Sequence, residues 1–113
     1  MGDCMVTVSF RFDLTPERFE AENGSEIAER VAGFPGLVWK LWLANPEEGR
    51  CQGVYRFESK EAARAYVDGP VVQHLRAAEG YNDVEAVIWD VLEEQSRITR
   101  APGLGEAVLS RGL

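Results

Sequence analysis

His74 is the one histidine in the chain, and histidine is the side chain whose ordinary pKa suits proton transfer near neutrality. It is therefore the natural general base. Its segment, VVQHLRAAEG, sets Val71, Leu75 and Ala78 along one helical stripe and leaves His74 at the stripe's border, a place that serves a site or a plain surface. Asp90 follows the alternation of Val84, Ala86 and Ile88, which puts a carboxylate on an apolar row where burial would raise its pKa. It is a candidate acid, with the capping of a neighbouring turn as the structural alternative. Aromatic side chains are the other ingredient: Trp39, Tyr55, Tyr66, Phe10 and Phe57 could wall a substrate pocket or fill a core. A base beside ring walls and a dry cavity could take a proton from a bound small molecule.

Other chemistries lack their residues. Cys4 and Cys51 are far apart and without the paired spacing of a zinc or redox motif, so they read as buried free thiols. With one histidine and no neighbouring cysteine, the usual ligands cannot assemble a metal cluster, and the acidic residues are scattered like those of a solvated surface. GLGEA, near the C-terminus, lacks the preceding strand of a dinucleotide-binding loop. No cofactor and no metal are expected. The 19 acidic and 12 basic residues give a net charge of -7, which removes the long-range attraction to phosphate on which nucleic-acid binding rests. The N-terminal MGDCMVTVSF has no leader pattern and no membrane-spanning length, and Val6 stands where myristoylation wants Ser or Thr. The expectation is a cytoplasmic protein without membrane contact.

The elements that must hold these residues follow from local signals. At 113 residues the chain supports one core. CMVTVSFRF alternates strictly, which predicts a strand with Val6, Val8, Phe10 and Phe12 on one face. Thr15 as cap, Pro16 at the first helical position, and Phe19, Ile27 and Val31 at helical spacing predict helix, with Asn23-Gly24 either kinking it or dividing it. Pro35-Gly36 turns into a strand over 37–44, and NPEEG joins it to a second over 50–58 as a hairpin. Ser59 caps a helix through KEAARAYVDG that breaks at Gly69-Pro70 and resumes to Gly80, before DVEAVIWDVLE forms a fourth strand. The order βαββαβ predicts a ferredoxin-like α+β domain over residues 1–95, a four-stranded antiparallel sheet with both helices on one face. Residues 96–113 read as a tail or arm.

Period-two reading turns Trp39, Leu41, Tyr55 and Phe57 toward the helices and Lys40, Trp42, Val54, Val87 and Trp89 to the opposite face. That opposite face is too apolar for water, and a two-fold dimer is the simplest cover for it. Trp42, Lys40 and Trp89 are therefore expected at a homodimer interface. There Lys40 could join Arg11 and Arg56 in holding an anion, or pair with Glu85. A ligand cavity is expected on the helix side, where the break at Gly69-Pro70 prevents close sealing, with His74 at its rim and Trp39 and Tyr55 in its wall.

The segments PGLVWKLW, GVYRF, EAARAYV, WDV and SRITRAP, in that order across residues 5–102, resemble the YdhR-like family of monooxygenases, a branch of the dimeric α+β barrel superfamily. The resemblance implies two ferredoxin-like sheets facing each other as a barrel. Other branches include oxygenases that act on polyketide phenols or quinols without metal or flavin, haem-degrading oxygenases, and isomerases or cyclases. By this resemblance the chain is expected to be a cofactor-independent monooxygenase acting on an aromatic or quinoid, polyketide-like small molecule. A cofactor-free isomerase or cyclase and a non-catalytic binding or stress-response module are the alternatives. Haem degradation would require His74 as axial ligand, and its helix carries no tryptophan where that branch leads one to expect it.

Overall fold

Strict alternation produces β1, Cys4–Phe12, in the computed structural model, which describes residues 4–102. Cys4, Val6, Val8 and Phe10 are buried on one face, and Met5, Thr7 and Ser9 between them are partly open. The helix α1, Pro16–Glu22, starts where Thr15 Oγ1 accepts the Arg18 N–H at 3.1 Å, with Pro16 supplying a preset φ. A second helix, α2, Ser25–Ala32, begins after Gly24, so Asn23-Gly24 divides the helical region. The hairpin is β2, Leu37–Asn45, and β3, Arg50–Phe57. Ser59 Oγ accepts the Ala62 N–H at 3.1 Å to open α3, Lys60–Val67, and α4, Pro70–Ala77, follows. At Gly69, between them, a Cβ would lie 2.6 Å from the Ala65 carbonyl oxygen, so a side chain there could not coexist with so tight a break. The last elements are β4, Tyr81–Asp90, and α5, Glu93–Ile98.

The strands pair antiparallel in the order β2-β3-β1-β4. With each helical region divided in two, this is the ferredoxin-like α+β fold. One core joins Val6, Val8, Tyr55 and Phe57 of the sheet to Val31, Ala63, Tyr66 and Val72 of the helices. The segment expected as a tail from residue 96 begins inside α5, and the Pro102 carbonyl accepts from Arg56 Nη1 at 3.1 Å, tying the segment back to β3. Residues 103–113 of that segment lie outside the described residues.

One register shift changes which side chains can meet. Leu37 pairs with Phe57, but Trp39 pairs with Arg56, so two steps on β2 match one on β3 and Val38 is the extra residue of a bulge. Beyond it every side chain of β2 is reversed. Lys40 stands opposite Tyr55 and Trp42 opposite Gly53, on the helix side. Trp39 and Leu41 share the other face with Arg56 and Val54. The expected placements of Trp39 in the cavity wall, and of Lys40 and Trp42 on the helix-free face, are therefore corrected. Trp89 does lie on the helix-free face, 51% exposed, with its Nε1–H donating to Thr7 Oγ1 at 2.8 Å.

Candidate active site

Between the sheet and the divided helices lies a cavity of about 750 Å³. Its floor comes from alternate residues of the middle strands: Val8 and Phe10 of β1, and Cys51, Gly53 and Tyr55 of β3. The β2 bulge adds Lys40 and Trp42 to this wall, and α3 adds Tyr66. Its mouth is framed by Arg18, Glu22 and Asn23 at the end of α1, His74 on α4, and Tyr81 at the start of β4.

Gly53 makes the floor possible. A Cβ there would lie 2.7 Å from Lys40 Cε and 2.9 Å from Tyr55 Cε1, so the lysine stem occupies the space that a side chain would take. The Lys40 Nζ ends 3.3 Å from the centre of the Trp42 ring and 4.6 Å from that of Tyr55. Burial among these rings lowers the Lys40 ammonium to about 8, against a smaller opposing pull from Cys51. The Cys51 thiol is itself pushed up by burial, which outweighs the nearby lysine.

Deeper in the wall, the Tyr55 and Tyr66 hydroxyls share a hydrogen bond of 2.8 Å. Burial raises both phenols, so neither ionises in the neutral range. Their rings are 4.7 Å apart, with Phe57 against both at 6.0 and 5.5 Å. Phe57 is wholly buried and stands behind the two tyrosines, off the cavity wall. Phe10 is on the wall, edge-on to Tyr81 at 5.3 Å.

The mouth is a connected polar cluster. The Tyr81 hydroxyl donates to Glu22 Oε1 at 2.7 Å, and Arg18 Nε donates to Glu22 Oε2 at 2.8 Å. The tyrosine hydrogen bond, followed by the arginine one, holds the Glu22 carboxylate below its ordinary range. Burial first, and then the glutamate, pushes the Tyr81 phenol up to about 12. His74 is exposed and belongs to the lining of the cavity.

Asp90 is not part of the site. Its backbone pairs with the buried Cys4, as the alternation predicts, but it is the last residue of β4. Its side chain is 78% exposed and bound to Lys60 Nζ at 3.0 Å, so the expectation of a buried acid is corrected. Sequence reading missed Arg18, Glu22, Asn23 and Tyr81 as a group. The available signal was the Asn23-Gly24 interruption, which ends α1 at the cavity instead of carrying it past. Among the described residues no cluster of His, Cys, Asp and Glu has the arrangement of a metal site, and no helix is long and apolar enough to cross a membrane.

Several solved structures share this fold. SnoaB, a cofactor-independent oxygenase from Streptomyces nogalater, seen in a mutant form, is similar with a TM-score of 0.62 at 17% identity, covering 81% of this chain and 95% of its own. A monooxygenase from the gene ActVA-Orf6 of Streptomyces coelicolor, in complex with nanaomycin D, gives 0.57 at 20% identity, covering 80% and 87%. The haem-degrader MhuD from Mycobacterium tuberculosis, with two haems in its active site, gives 0.54 at 18% identity, covering 78% and 95%. At such identities the likeness shows the fold alone. The sequence profile of the family described as "Putative mono-oxygenase ydhR" matches residues 5–102, and the chain belongs to that family. No curated protein matches it in sequence.

Proposed function

We propose that the chain is a cofactor-independent monooxygenase that oxidises a flat aromatic or quinoid, polyketide-like molecule in the cavity between sheet and helices. The carrying observation is the cavity itself, about 750 Å³ walled by Phe10, Trp42, Tyr55, Tyr66 and Tyr81, with a histidine at the mouth. Ring walls of this kind favour a planar guest. Membership of the monooxygenase family supports the reaction class.

The electrons come from the substrate. His74 takes a proton from an activated CH₂ or hydroxyl of the guest, and the resulting carbanion or phenolate is electron-rich enough to react with O₂. For a CH₂ flanked by aromatic rings the balance is CH₂ + O₂ → C=O + H₂O: one oxygen atom enters the product and the other leaves as water. The apolar wall keeps bulk water from the anion while it meets oxygen.

The working unit in this reading is a homodimer. On the helix-free face Leu41 and Leu43 are 52% and 43% exposed, and with Trp39, Val54 and Trp89 they make a patch suited to a second copy. Oxygen-electrode assays with anthrone- and naphthol-type substrates test the activity. Uptake above the protein-free rate, with equimolar ketone formed, is expected. Binding of these compounds without oxygen consumption would defeat the oxygenase reading, and isomerised product under nitrogen would replace it with a proton-transfer enzyme.

A further inference from the structure

We propose that the cavity takes its ligand as an anion, a flat polycycle bearing an ionised oxygen, with that oxygen held at the Lys40 ammonium beside the Trp42 and Tyr55 rings. The inference rests on the aromatic-ligand reading above and names the charge of the guest and the residue that meets it.

Three observations lead to it. The ammonium is inside the cavity, because the bulge at Val38 turns Lys40 toward the helices and Gly53 leaves room for its stem. It is also without a carboxylate: among the described residues no ion pair joins Lys40 to Asp or Glu. The Glu22 carboxylate on the same cavity is engaged by Arg18 at 2.8 Å and by Tyr81 at 2.7 Å. Ring faces are the lysine's neighbours, at 3.3 and 4.6 Å, and these replace only part of the water that it has lost.

A partly desolvated cation without a counter-charge is expensive, and the expense is recovered when a bound molecule brings the charge. A simple core lysine would be better as Met or Leu on grounds of stability alone. The neighbouring rings define the rest of the ligand: a planar body stacked in the aromatic wall places an oxygen substituent at the Nζ. Arg18 and His74 occupy the mouth and face solvent, where a charge is screened and adds less to affinity.

Calorimetric titration of the full chain with anthraquinone-2-carboxylate and with the neutral, nearly isosteric anthraquinone-2-carboxamide tests the proposal at fixed pH 7. The wild type is expected to bind the carboxylate about 10-fold tighter or more, as a hydrogen bond to a charged group provides. Lys40→Met is expected to bind both probes with the carboxamide's affinity, and Lys40→Arg to keep part of the preference. In the wild-type protein the Lys40 ε-CH₂ resonances should titrate at higher pH in the carboxylate complex than in the carboxamide complex, a readout that needs no variant to fold. Equal affinity of the wild type for the two probes would overturn the anionic ligand and leave the aromatic pocket standing. A carboxylate preference retained in Lys40→Met would assign the charge recognition to another cation. Failure of the wild type to bind either probe would remove both this inference and the reading beneath it.

Discussion

Replacing Lys40 by Met should stabilise the protein at neutral pH, and the size of the gain follows from the environment of the ammonium. Its pKa is about 8 in the folded chain against an ordinary 10.5, so carrying the charge in the fold costs about 3 kcal/mol at pH 7. The Trp42 contact at 3.3 Å returns about 1 kcal/mol. A net gain of about 2 kcal/mol is expected for Lys40→Met, whose side chain keeps the apolar stem and drops the charge. Between about pH 8 and 10.5 the unfolded chain binds a proton at Lys40 that the folded chain has released, so this residue's contribution to stability rises with pH there. The gain from Lys40→Met should therefore shrink to about 1 kcal/mol or less by pH 9.5. Urea denaturation at pH 7 and 9.5, with both proteins carrying Cys51→Ser so that the neighbouring thiol does not titrate in the same window, reads the difference directly. Tyrosines that ionise in the unfolded chain do so in both proteins and cancel. A Lys40→Met variant less stable than its parent by 1 kcal/mol, or a difference that does not change with pH, would refute the reasoning by showing the ammonium to be well solvated or paired.

The paired hydroxyls of Tyr55 and Tyr66, 2.8 Å apart and buried, should show coupling: each single Phe variant costs about 1–2 kcal/mol, while the double variant costs less than the sum, as a denaturation cycle would measure. His74→Ala should lower turnover about 10²-fold at an almost unchanged melting temperature, because the residue is exposed at the rim; an unchanged rate would assign proton transfer elsewhere. Light scattering should report a dimer that Trp39→Glu splits, since an unpaired charge at such an interface costs several kcal/mol, whereas Trp42→Glu should set a carboxylate beside Lys40 in the cavity and leave the dimer intact.

Most of the fold was legible because its signals are local. Thr15-Pro16 and Ser59 cap helices where they stand, Gly69-Pro70 breaks one, and β1 alternates with every second residue buried from Cys4 to Phe10. Those features act within one turn or one pleat, and no distant partner can overrule them cheaply. Asp90 shows the limit of parity alone. Alternation gave its row correctly, but whether a row is covered depends on where the helical roof ends, and at residue 90 a lysine and solvent take its place. The mouth cluster was illegible for a related reason: Glu22 and Tyr81 meet across 59 positions of sequence, and only the packed fold sets that distance.

The reversal of β2 is of another kind, and it joins the error of reading to the function. LVWKLWL is bulky on both parities, so a period-two pattern fits it equally well before and after a one-residue slip. Hydrophobicity does not register a bulge in such a strand. Yet the bulge at Val38 is what brings Lys40 and Trp42 into the cavity and sends Trp39 and Leu41 to the helix-free face. A regular β2 would put the lysine on the face suited to a second copy, and the cavity would lose both its interior cation and the indole against which that cation rests. Bulges are places where a strand gives up a ladder position to re-aim side chains. Here the re-aimed residue is a lysine to which, among the described residues, no carboxylate is paired, and that is the position from which a cation can meet a charge that a ligand brings.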